Sequence, residues 1–282
     1  MHATVRQDSR GPLPEGLGQA IRGTAEDIAA LLRGVPDTAV PVPGSEWTVG
    51  EAAAHLALAN ELMADLAAGR ERPYGDGTPQ SLAAANAQSL TEFGERRADP
   101  LATMITEQAE VFLDAMGATT AEGATGAVDG PAPTTPLGPL DRPVLASYLL
   151  THMLGHGYDL ALALGRPHMV DRARVGLCMP FMLSVMPRVA DTAATAGLTA
   201  RYTIRLRGGE AFGVSLTDGA VQVTPGTPVG RSDCTILLDP VAFLLIALGR
   251  LNPWRAIARG QVIAWGARPW LAPRFPTLFT AP

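Results

Sequence analysis

Lysine is missing altogether from the 282 residues, so all 22 positive charges are arginines, and 27 acidic residues outnumber them. No basic run stands out, which excludes the electrostatic footprint of a nucleic-acid binder. Cysteine is scarce. Cys178 and Cys234 stand far apart without a CxxC, ruling out a disulfide framework and a thiolate zinc site and making a reduced cytoplasm the default compartment. Long apolar runs are missing too: no stretch reaches the roughly 18 residues of a membrane span. The opening MHATVRQDSRGPLPEG lacks the apolar segment of a secretory signal, so neither secretion nor bilayer insertion is expected. What is present, 47% hydrophobic and 17% charged residues, is a globular composition whose length fits two modest domains.

Residues 1–16 read as a flexible leader, and Leu17 to Leu32 then shows helical spacing. Thr48 and Glu51 make a T-x-x-E capping box that opens an Ala/Leu-rich helix to about Ala68, with His55 inside it. Two further helices are predicted over Ser81 to Arg97 and Pro100 to Met116, followed by a long Gly/Pro/Thr loop from Gly117 to Leu140. A strong helix follows, with Asp141 as N-cap, Pro143 in the first turn and Gly165 at the end. Residues 168–198 predict one more helix, broken or kinked at Pro180 and Pro187. Near residue 198 the texture changes to strand and hairpin grammar, ending in a strand at Cys234 to Leu238, helices near 240–248 and 253–259, and a strand at Gln261 to Trp265. The expected fold class is α+β: an up-and-down helical bundle over 17–197, then a small α+β domain over 198–282.

Histidine is rare as well, and of five only His2 lies in the leader. His152 and His156 are four apart on one helix, their side chains emerging about 40° apart, which is a bidentate grip for a metal. His55, on a neighbouring bundle helix, can complete a tri-histidine set suited to zinc or another divalent ion with an open position. The same residues also read as chance spacing and hydrogen-bonded core histidines. Asp159, three residues after His156, is placed to accept that ring's second N–H, or to pair with Arg166. His168 is expected to be exposed. Trp47 reads as a hydrophobic staple or packing anchor, and Trp254, Trp265 and Trp270 as fillers of a core or cavity mouth, with a pocket lining as the alternative. Arg96 and Arg97 read as a solvated helix end, and the two cysteines as buried hydrophobes.

The segment Ser45-Glu46-Trp47-Thr48-Val49-Gly50-Glu51-Ala52-Ala53-Ala54-His55-Leu56, with His152-x3-His156-Gly157-Tyr158-Asp159 and Gly165-Arg166-Pro167, resembles the mycothiol-dependent maleylpyruvate isomerase family within the DinB/YfiT-like four-helix bundles. The later strands, with Leu237-Leu238-Asp239-Pro240, Leu248-Gly249-Arg250-Leu251 and Gly260-Gln261-Val262, look like the sterol-carrier-protein-like domain fused to many of these proteins. The resemblance implies a metal enzyme, usually with zinc, that binds a low-molecular-weight thiol, mycothiol, and aims its thiolate at a small electrophile. His55, His152 and His156 would be the ligands and Arg250 the arginine that the second domain contributes, while the catalytic support expected of Asp159 comes from its spacing after His156. One departure stands out: the isomerases carry a glutamate where this chain has His152, whereas thiol S-transferases of the superfamily use three histidines. That favours S-conjugation, with cis–trans isomerisation as the alternative. A non-catalytic carrier of an apolar ligand and a metal-dependent hydrolase are competing classes. A monomer or homodimer is expected.

Overall fold

A computed structural model describes residues 13–70, 72–76, 81–121, 133–135 and 137–280. His2 and most of the expected leader therefore lie outside the described residues. The chain divides into two compact units, 1–169 and 170–282.

The first unit contains α1 (Leu17–Leu32), α2 (Val49–Ala67), α3 (Leu82–Glu92), α4 (Ala98–Ala121), a short hairpin of β1 (Thr134–Thr135) and β2 (Gly138–Pro139), and α5 (Arg142–Ala163). Both α4 and α5 pack on α1 and on α2, giving a four-helix bundle in the ring order α1-α4-α2-α5, with α3 against α2. Leu17, Ile21, Ile28 and Leu32 of α1 meet a core that includes Leu101, Ile105 and Phe112 of α4 and Leu145 and Leu149 of α5, all fully buried. Each such side chain contributes about 1.5–3 kcal/mol relative to an exposed one. The buried face of α2 is rich in alanine (Ala52, Ala53, Ala54, Ala57, Ala64 and Ala67), and such small residues let α4 and α5 approach closely.

Local chemistry fixes the ends of the two helices that carry histidines. The Thr48 amide and hydroxyl both donate to Glu51 Oε2 at 2.8 Å, and the Glu51 amide donates back to Thr48 Oγ1 at 3.3 Å. Asp141 accepts from the Val144 amide at 3.0 Å to start α5. Gly165, at φ 62, ends it, with the Arg166 amide donating to the Ala161 carbonyl. The hydrogen bonds from Thr48 hold the Glu51 carboxyl below its ordinary value. A carboxyl whose folded pKa is depressed contributes stability that is complete above its unfolded pKa and is lost as pH falls through the folded value. Thr48→Ala is expected to lower stability by about 1 kcal/mol at neutral pH and by less in acid, read from urea unfolding at several pH values.

The second unit opens with α6 (Arg172–Val185), a 3-10 turn at Met186–Val189 and α7 (Thr192–Thr195). Then come β3 (Ala200–Leu206), β4 (Ala211–Thr217), β5 (Ala220–Pro225), β6 (Cys234–Leu238), α8 (Pro240–Ala247), α9 (Pro253–Ala258) and β7 (Val262–Trp265), followed by 3-10 turns at Pro269–Leu271 and Phe275–Leu278. The five strands form one sheet in the order β5-β4-β3-β6-β7, antiparallel except for the β3–β6 pair. Tyr202, Ile204, Phe212, Val214, Cys234 and Ile236 alternate onto one buried face. Arg201, Thr203, Arg205 and Thr235 alternate onto the other.

Several expectations from sequence need correction. The helix predicted over Ser81 to Arg97 ends at Glu92, and α4 runs to Ala121, past the predicted loop start at Gly117. The helix of 168–198 is continuous across Pro180 and breaks at Met186–Val189, where Pro187 sits. Although its composition groups it with the preceding helices, α6 belongs to the second unit, where it packs on α8. Arg96 is part-buried and clamps the α3–α4 turn, its guanidinium donating to the carbonyls of Leu90, Phe93 and Glu95; only Arg97 is the solvated end, paired with Glu95. Trp254, Trp265 and Trp270 are 64%, 44% and 67% exposed and fill no core.

Candidate metal and thiol site

Two adjacent bundle helices supply the three imidazoles, His55 from α2 and His152 and His156 from α5. His55 Nε2 and His152 Nε2 face each other at 3.1 Å, and one nitrogen from each of the three rings lies within 4.8 Å of the others. Four-coordinate zinc with bonds of about 2.0–2.1 Å needs ligand nitrogens roughly 3.3 Å apart, so small ring adjustments suffice to close on such an ion. Burial, and next the charge of His156, push the His55 pKa well below its ordinary value. The neutral ring that results keeps a lone pair for a cation. The donor set therefore fits a divalent metal.

The surroundings are aromatic and acidic. The Trp47 ring lies 4.7 Å from that of His55 and 5.9 Å from that of His156, so this residue packs on the imidazoles themselves. Asp159 Oδ2 lies 3.4 Å from His156 Nδ1, whereas Arg166 donates to the carbonyls of Ala30 and Leu31. Sequence reasoning passed over Tyr148, whose ring meets His152 edge-on at 6.2 Å. Its signal was the same four-residue spacing that links the histidines. Burial pushes its phenol up to about 12, so it stays protonated near neutral pH. His168 is exposed beside Tyr158.

Arg250 lies in the second unit just after α8, its guanidinium donating to the Leu248 carbonyl at 2.5 Å. That unit also contains an apolar cavity of about 470 Å³ lined by residues such as Phe181, Met182, Ile236, Phe243 and Phe275. Cys178 and Cys234 are both buried. Desolvation, together with the Asp233 charge, raises the Cys234 thiol to about 11. At neutral pH roughly one Cys234 in ten thousand is then ionised, so an aromatic disulfide reagent is expected to leave it unmodified in the native protein and to modify it on unfolding.

The chain thus joins a helical bundle that gathers three imidazoles to an α+β unit with one mixed sheet. The chain belongs to the mycothiol maleylpyruvate isomerase family, a family of enzymes: the family model described as "Mycothiol maleylpyruvate isomerase N-terminal domain" matches residues 18–161. The SCP-2 sterol transfer family matches residues 186–266. Among solved structures, the mycothiol-dependent maleylpyruvate isomerase aligns with 89% of this chain and 93% of its own at 16% identity and a TM-score of 0.46, and a point mutant of it at 0.49. The sec-alkylsulfatase from Pseudomonas sp. aligns with 49% of this chain at 18% identity and a TM-score of 0.34, and the chain spans only 24% of that enzyme's length. No curated protein gives a significant match. Among the described residues no helix is long and apolar enough to cross a membrane.

Proposed function

We propose that this chain is a metal-dependent enzyme that uses a low-molecular-weight thiol, mycothiol, to isomerise a conjugated small molecule of the maleylpyruvate type. The observation that carries the reading is the meeting of His55, His152 and His156 in a chain of this family. The family match supports isomerisation better than the S-conjugation favoured by the histidine at position 152. The reaction class is reversible thiol addition to a double bond, rotation about the resulting single bond, and expulsion of the thiol.

A divalent cation held by the three histidines would keep a bound thiol ionised near neutral pH. The rest falls to the chain. His55 offers a neutral ring because burial disfavours its protonation. Asp159, whose Oδ2 lies 3.4 Å from His156 Nδ1, would orient that ring if His156 holds the ion. Trp47 covers the imidazoles on one side. Arg250 is assigned to a carboxylate or enolate of the substrate.

S-conjugation is the second reading. A histidine in place of a carboxylate leaves the site one charge more positive, which holds a thiolate more firmly and lowers its nucleophilicity. The apolar cavity of the second unit supports a carrier role only for that unit. Incubation of the metallated protein with mycothiol and maleylpyruvate separates these readings. Isomerisation predicts cis–trans conversion with the thiol recovered. Stoichiometric loss of thiol would establish conjugation instead, turnover without thiol would establish hydrolysis, and no turnover of any kind would leave only binding.

A further inference from the structure

We propose that the open face of the sheet in the second unit carries a second binding site, for a small carboxylate with a planar conjugated or aromatic body. Strand register builds it. Gly213, Thr203, Thr235 and Trp265 lie side by side across β4, β3, β6 and β7, on the face away from the core. Arg205 lies two residues along β3 from Thr203 and shares that face. The 227–232 loop folds over the row: a Cβ at Gly213 would meet Pro228 Cγ at 2.8 Å, so only glycine lets the loop lie so close. A hydrogen bond between Thr203 and Ser232 ties the loop to the strand. The resulting concavity is shallow and open to solvent, about 410 Å³, and is lined by Thr203, Arg205, Thr227, Arg231, Ser232 and Trp265 among others. That is the size of a small-molecule site.

Charge decides the occupant. Arg207, Arg268 and Arg274 each donate to a backbone carbonyl, and Arg268 also pairs with Asp233. Arg205 and Arg231 are exposed, and among the described residues neither guanidinium has a hydrogen bond or ion pair. Two unengaged planar cations lining one concavity, with hydroxyls between them, match the oxygens of a carboxylate. The half-exposed indole of Trp265 adds a surface on which a flat π system stacks. A lipid chain finds no apolar trough here, and a bare anion would leave the indole unused.

The residues that line this site all belong to the second unit, and the test distinguishes it from the imidazole cluster. Full-length protein is titrated with benzoate by calorimetry, with acetate, inorganic phosphate and myo-inositol as comparison ligands. Saturable benzoate binding is expected, weakened by added salt, weakened about tenfold or more in the Arg205→Ala/Arg231→Ala and Trp265→Leu proteins, and unchanged in His152→Ala. Equal binding of acetate or phosphate, preference for inositol, absence of saturation, or wild-type affinity in the arginine double variant would each overturn the proposal. Loss of binding in His152→Ala would assign the ligand to the imidazole site and overturn it equally.

Discussion

His152→Ala is expected to emerge from purification with less than about a tenth of the wild-type metal content and to lose thiol-dependent turnover by roughly a thousandfold, while its helical circular dichroism is unchanged. The substitution removes the ring that faces His55 at 3.1 Å and so leaves two donors on two helices. Two imidazoles bind a divalent ion far more weakly than three in a preformed site. Asp159→Asn should act more mildly, reducing metal affinity about 10–100-fold, because it changes only the group facing His156 Nδ1. Full metal content and full activity in His152→Ala would mean that the three histidines are merely packed together.

Gly266→Ala should cost the second unit about 3 kcal/mol, seen as a fall of more than about 10 °C in its thermal transition. Gly266 has φ 129, and a Cβ there would stand 2.7 Å from the Asp233 carbonyl oxygen and 3.3 Å from Cys234 Cα. Those atoms are backbone at the start of β6 and cannot swing aside as a side-chain tip does. Gly260→Ala is the control. Gly260 also has positive φ, 67, yet no atom lies within 4 Å of its would-be Cβ, so only the conformational penalty of about 1 kcal/mol applies. Equal losses in the two variants would show that the close approach of the chain at Asp233 contributes nothing.

Features with a local cause were legible in the sequence. The Thr48/Glu51 box, the Asp141 cap and the Gly165 terminator depend on residues within one turn of each other, and the structure shows all three. The strands of the second unit announced themselves by two-residue alternation because one face is buried and the other open. Residue type failed where long-range geometry decides. Arg96 reads as a surface charge, yet the chain reversal between α3 and α4 presents three carbonyls to it. Trp265 reads as a filler of a core or cavity mouth, or as a pocket lining, and only its place in the β7 register decides between them by putting it on the open face. In α6, composition matched the bundle while packing joined the helix to the sheet unit.

Spacing along one helix determined that His152 and His156 share a face, because 3.6 residues per turn leaves no other arrangement four positions apart. Only the tertiary structure decided that His55 joins them: the bundle order sets α2 beside α5 instead of beside α1, its predecessor in the chain, and close packing of small side chains between these helices brings rings 97 residues apart to 3.1 Å. Local periodicity fixes which way a side chain leaves its helix, whereas the partner it meets depends on how the bundle buries its apolar faces together.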